Sequence, residues 1–172
     1  MNNPKFSHAG FFAVFSLILI LDQLTKYLIR SFMSLNNSLS IIPGFFNMVF
    51  VLNKGGAFGL FSSLNPLLRA AIFIGFSLLA ILALLIIYWK SSHTWLTRLG
   101  IAFLMGGAIG NLMDRLRWGM VVDFLDFYIG RYHWPAFNVA DMAICIGLGL
   151  VFLELFLIRD DQTGDEIIET KA

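Results

Sequence analysis

Residues Ala70–Trp89, "AAIFIGFSLLAILALLIIYW", contain no charged side chain. As a helix rising 1.5 Å per residue, that stretch is about 30 Å long, the hydrocarbon thickness of a bilayer. A helix apolar on every face has no side to show to water, so this run assigns the chain to a membrane. Three further stretches fit the same description. Trp95–Met113 holds only Arg98, near enough to one end for its charge to snorkel. Phe137–Ile158 carries Asp141 near its start and Glu154 near its finish. In Phe11–Ile29 the uninterrupted apolar run ends at Leu21, too short to cross alone, so that span must include Asp22. Charged residues make up 13 % of the chain, about half the share usual in a soluble domain. Trp89, Trp95, Trp118 and Trp134 all fall at or just beyond the ends of these spans, where indole rings favour the membrane–water boundary.

The expected organisation is a mainly α-helical membrane protein with one integral domain over residues 1–159 and a flexible acidic tail over 160–172. The sequence after Leu21, "LDQLTKYLIRSF", offers no small-x-small cleavage site, so the first span reads as a retained helix. Four crossings bring both termini to one side and leave segments 30–69 and 114–136 on the other. Segment 30–69 contains "IIPGFFNMVFVLNKGGAFGLF", β-formers around a Gly-rich turn, which predicts a small sheet on the membrane. Residues 116–134 mix aromatics with charge and are expected to lie in the interface. Lys and Arg accumulate on the cytoplasmic side of membrane proteins. Here the loop side carries Lys26, Arg30, Lys54, Arg69, Arg115, Arg117 and Arg131, against Lys5, Lys90, Arg98, Arg159 and Lys171 on the terminal side. That bias decides no orientation unless some of those cations belong to a site. A net charge of +1 without a basic stripe gives no footprint for nucleic acid. The single cysteine, Cys145, excludes an intramolecular disulfide and a cysteine-based zinc site, and is expected to pack in the core.

The helix directions gather Asp22, Asp114, Asp123, Asp126 and Asp141 at one end of the bundle, with Lys26, Asn53, Asn111, Arg115 and Asn138. Glu154, thirteen residues beyond Asp141, lies ~20 Å away. Ionisable groups in a membrane mark pathways, relays or catalytic sites. Two carboxylates at one place cannot both ionise cheaply, and such a dyad activates water while donating a hydrogen bond to a peptide carbonyl. Spacing alone leaves open whether Asp123 and Asp141 meet. Asp22 and Lys26, at i and i+4, read first as an intrahelical ion pair. Asn111, Asp114 and Arg115 share a face that a structural polar network would also explain. Gly106 and Gly110 form a small-xxx-small pair for close helix packing. Asp126 is expected to be a solvated loop residue and His133 structural or exposed. A small proton-coupled transporter would also carry membrane carboxylates, but near mid-membrane and often between inverted repeats. Zinc-protease and serine-nucleophile motifs are absent from the sequence.

Five motifs then depart from the generic. "DQLTK" at 22–26, "NKGGAF" at 53–58, "GGAIGNLMDR" at 106–115, "VVDF" at 121–124 and "FNVAD" at 137–141 occur in order on a four-span chain. With these the chain resembles the lipoprotein signal peptidase (signal peptidase II) family over nearly its whole length. The resemblance implies a bacterial inner-membrane aspartic endopeptidase with four transmembrane helices, a periplasmic β-sheet cradle and a periplasmic interfacial amphipathic segment. Such an enzyme removes the signal peptide from diacylglyceryl-modified prolipoproteins, cutting before the lipid-modified cysteine. It implies Asp123 and Asp141 as the catalytic pair and Asn53, Asn111, Arg115 and Asn138 as substrate-site residues. Asp22, Lys26, Gly55, Gly107, Gly110, Asp114 and Ala140 take supporting roles. It also implies no metal or cofactor, cytoplasmic termini, and a chain that works as a monomer among membrane lipids. Gly56, where the family more often has alanine, and the acidic tail depart from the pattern without touching the pair.

Overall fold

The computed structural model describes residues 7–55, 64–90 and 94–169, with side chains in the last helix as far as Leu157. Its helices are α1 (His8–Phe32), α2 (Pro66–Lys90), α3 (Trp95–Trp118) and α4 (Val139–Glu169). All four are long and apolar enough to span a membrane, α4 over Val139–Leu157. The first three helices outrun their expected limits at one end or both, because polar caps rather than the hydrophobic run set where a helix stops, while the α4 span lies within its expected limits. Ser7 Oγ accepts from Gly10 N at the start of α1. Asn65 Oδ1 accepts from Leu67 N across Pro66, which suits the first helical position. Gly119, at φ +68°, closes α3 by donating its N–H to Arg115 O. The acidic stretch expected as a flexible tail is helical as far as Glu169.

Half of the most apolar stretch of α3 is buried and none of α2's, so α3 is the central helix and α2 lies at the edge of the bundle, burying only Arg69 and Tyr88 near its ends. Glycines let the neighbours of α3 approach. A Cβ on Gly106 would meet Ile18 of α1, and one on Gly107 would strike the Ala140 carbonyl of α4. On Gly110 it would fall 2.5 Å from Asp22 Oδ2. The expected Gly106–Gly110 packing face is therefore the α1–α3 seam. Further along, Gly100 and Gly147 bring α3 and α4 together in the same way. At the end of the bundle away from the sheet, Phe11, Tyr88, Ile101, Ala102 and Met105 form an apolar core. There Glu154 is buried and accepts from the hydroxyls of Thr94 and Thr97. Cys145, expected in the core, is exposed instead on the outward face of α4.

The four-stranded antiparallel sheet has the order β1 (Ser38–Ile42), β2 (Phe46–Asn53), β3 (Val121–Ile129), β4 (Tyr132–His133). The strands expected within 30–69 are thus present, but they are half of the sheet. Residues expected to lie in the interface, 116–134, supply the last turn of α3 and then β3 and β4. Val122 and Phe124 point to one face of β3 and pack with Ile29 and Phe50, and Asp123 takes the other face. β2 carries one extra residue between Met48, opposite Leu125, and Val51, opposite Asp123. This bulge, beside Asp123, lets Val49 and Phe50 both be buried. Gly56–Ser63, including the rest of "NKGGAF", lie outside the described residues.

Because a methyl at residue 107 runs into backbone rather than a movable side chain, Gly107→Ala should destabilise the protein by about 1–3 kcal/mol. Gly75→Ala, where a Cβ meets nothing within 4 Å, should be near neutral. Thermal melts of both variants in detergent micelles check this.

Candidate active site

The site is assembled at the sheet end of the bundle, where α1 and α3 finish and α4 starts. The short link before α4 fixes its position. Phe137 N donates to Leu125 O, and Phe137 O accepts from Phe124 N and Leu125 N, so residue 138 is held against β3. Asn138, fully buried, is the N-cap of α4. Its Oδ1 accepts from Asp141 N at 3.0 Å, and Asp141 Oδ2 accepts from Asn138 N at 3.3 Å, a reciprocal capping box. The same amide donates its Nδ2 to Asp123 Oδ1 at 2.6 Å. One side chain therefore joins the Asp123 carboxylate to the Asp141 backbone N–H.

Each aspartate has a second amide partner. Asn53, diagonal to Asp123 on the β2–β3 ladder, donates to Asp123 Oδ2 at 2.9 Å. Its own Oδ1 accepts from Gly55 N at 2.8 Å. Gly55 is tied to its place, because it sits at φ +83° and a Cβ would overlap the Phe73 ring. Asn111 donates to Asp141 Oδ1 at 2.8 Å. Asp123 is 2 % exposed and Asp141 is half-buried. Burial, and then the neighbouring charge of Asp141, push the Asp123 carboxyl up to about 7, against the opposing hydrogen bonds from Asn53 and Asn138.

Behind this pair lies a buried ionic cluster. Lys26 Nζ is 2.9 Å from Asp22 Oδ2, 3.1 Å from Asp114 Oδ2 and 2.9 Å from Asn111 Oδ1. The expected i, i+4 pair is present as part of this larger arrangement. Asp22 Oδ1 accepts from Ala140 N, and Asp114 Oδ2 accepts from Val122 N. Gln23, which the sequence did not single out, donates to Asp22, Asp114 and Gly110 O. Its only sequence signal is its place between Asp22 and Lys26 at a helix end.

The remaining residues divide clearly. Arg115 donates to Ser77 Oγ at 3.3 Å, and its guanidinium carbon lies 5.7 Å from the centroid of the Phe73 ring. Among the described residues it forms no ion pair with either aspartate. Asp126 is a correction: instead of being solvated it is buried on β3, accepting from Asn47 Nδ2 at 2.9 Å. His133 Nδ1 lies 2.8 Å from Asp126 Oδ1, and its ring stacks on Tyr128. This group ties the strands together away from the pair.

Fold and site together have the form that a membrane-spanning aspartic peptidase requires: two neighbouring carboxylates held by amides, at one end of a four-helix bundle and not at its middle. The comparisons agree. The family described as signal peptidase (SPase) II matches residues 14–157. The lipoprotein signal peptidase of Desulforapulum autotrophicum is 49 % identical over 136 residues, covering 78 % of this chain and 84 % of that one. That of Syntrophus aciditrophicus is 45 % identical over 145 residues, covering 84 % and 86 %. A solved bacterial membrane enzyme structure, obtained by the in meso method at 2.3 Å, superposes with a TM-score of 0.81 at 29 % identity, over 94 % of this chain and 96 % of that one. The chain belongs to the signal peptidase II family.

Two outcomes follow from the geometry. Lys26→Met leaves Asp22 and Asp114 buried without their cation and should cost about 3–5 kcal/mol, read as a large fall in melting temperature. For Asp123 the folded chain holds its proton more tightly than the unfolded one, so its contribution to stability is greatest below pH ~4 and is lost as the pH rises towards about 7. Asp123→Asn should remove that slope, seen as a flatter melting-temperature profile over this window.

Proposed function

We propose that Asp123 and Asp141 are the catalytic pair with which this peptidase removes the signal peptide from diacylglyceryl-modified prolipoproteins, cutting before the lipid-bearing cysteine. The observation that carries the assignment is Asn138, whose side chain donates to the Asp123 carboxylate and whose backbone N–H donates to the Asp141 carboxylate. The bundle lies in the bacterial inner membrane with both termini cytoplasmic and the sheet on the periplasmic face, and the chain acts as a monomer. The substrate's acyl chains then stay in the bilayer while its peptide enters from the sheet side.

In the reaction, Asp141 is the general base. It sits in the first turn of α4 and is the more accessible of the two to water. It removes a proton from water, which attacks the scissile carbonyl. Asp123, protonated, donates a hydrogen bond to the developing oxyanion. Collapse of the tetrahedral intermediate breaks the C–N bond as a proton passes to the leaving amine. Asn53, Asn111 and Asn138 orient the carboxylates. Arg115, with one donor on Ser77, has further N–H groups for substrate carbonyls.

The test is cleavage of a diacylglyceryl-modified prolipoprotein in detergent or liposomes, read by gel shift and mass spectrometry. Asp123→Asn and Asp141→Asn should each lose about 10²–10⁴-fold in rate while keeping a folded melting profile, and Cys145→Ala should cleave normally. A folded variant of either aspartate with near-normal activity would overturn the assignment. For the wild type, kcat/KM should fall as the pH rises through about 7, where Asp123 gives up its proton.

A further inference from the structure

The cation surplus on the sheet side is not absorbed by the catalytic machinery. Arg30 and Arg117 end α1 and α3 and line a separate cavity of ≈ 380 Å³, with Tyr27, Ser31 and Trp118 at its mouth and Lys26 and Asp114 at its back. The lining includes neither Asp123 nor Asp141. Among the described residues no carboxylate pairs with either guanidinium. Asp114 is the acid in the wall, and its oxygens are taken by Lys26, Val122 N and Gln23. Arg117 gives Nη1 to the neutral Oε1 of Gln23 at 3.0 Å, which leaves its charge unpaired. The Arg30 guanidinium lies over the Trp118 ring, its carbon 3.6 Å from the centroid, so its position is fixed while its N–H donors have no hydrogen-bond partner among the described residues. The carbonyl ends of α1 and α3 offset part of this charge, but each helix end is worth only about half a unit against a full charge on each arginine.

We propose that this cavity binds a phosphate group, supplied by the headgroup of a membrane phospholipid. Two guanidinium forks match the paired oxygens of a phosphate. The depth is also right: Tyr27 and Trp118 are exposed beside the cavity at the helix ends, the level that such rings occupy in a bilayer and where headgroup phosphates lie. The site stands behind the Lys26 cluster, so an occupied cavity would anchor the α1–α3 end of the bundle without touching the reacting groups.

The experiment is native mass spectrometry of the full chain released from detergent after titration with phosphatidylglycerol or with diacylglycerol of the same acyl chains. The wild type should retain phosphatidylglycerol preferentially. Retention should drop about tenfold in Arg30→Gln/Arg117→Gln, and by a smaller factor in Arg30→Gln, which removes only a stacked surface side chain. Arg131→Gln, on the β3–β4 turn, should behave as wild type. Competition with millimolar inorganic phosphate separates the sources. An undisturbed lipid adduct assigns the site to the headgroup, and arginine-dependent displacement assigns it to the free anion and overturns the lipid source. Equal retention of the two lipids, or equal retention by wild type and both arginine variants, overturns the phosphate site.

Discussion

Everything at the catalytic end hangs on one buried ammonium. Lys26, 3 % exposed, spends its three donors on Asp22, Asp114 and Asn111. A cation this far from water is tolerable only with full compensation, since an unpaired buried charge costs several kcal/mol. Each of its three acceptors does a second task. Asp22 takes the Ala140 N–H, one of the unpaired donors in the first turn of α4. Asp114 takes the Val122 N–H, one residue before Asp123. Asn111 passes its amide to Asp141. The cluster thus joins α1, α3, α4 and β3 at a single point and fixes both aspartates through their neighbours.

The glycines of α3 make that point possible. An alanine at 110 would displace the Asp22 carboxylate, and one at 107 would push away the turn that carries Ala140 and Asp141. Packing and electrostatics are therefore not separate contributions here. Close approach is what brings the carboxylates within reach of the lysine, and the lysine is what makes such an approach between acidic side chains favourable.

Much of this was legible from residues alone. Four spans, the convergence of the acids and the Asp22–Lys26 pair all follow from helix length, direction and spacing. What could not be read depends on register or on face. All four residues of "VVDF" are buried, so β3 lacks the alternation that marks a half-buried strand, and its aromatics and charges suggested an interfacial segment instead. Asp126 meets Asn47 only because β2 and β3 pair in one register, across 79 positions of sequence. Cys145 follows Asp141 by four residues, which overshoot a full turn by about 40°, and it falls on the outward face. In a membrane helix an outward face is as apolar as a buried one, so hydrophobicity does not tell the two apart. The proposed catalytic pair is the opposite case: spacing left it open, and the motifs of the family, not geometry, singled it out.

Two identical side chains perform different tasks only if their surroundings differ, and here the fold supplies the difference. Asp123 stands on a strand in the middle of a sheet, with apolar packing on the opposite face and little access to water. Asp141 stands at the start of a helix, half exposed, with the capping box and the dipole acting on its charge. Burial favours the neutral acid in the first setting. Asn138 belongs to both, as the cap of the helix and as a donor to the strand, so the two settings are held at one fixed separation. A bundle end covered by a sheet is therefore more than a place to put acids. It is a way to give two aspartates different surroundings side by side, at the boundary where water and lipid meet.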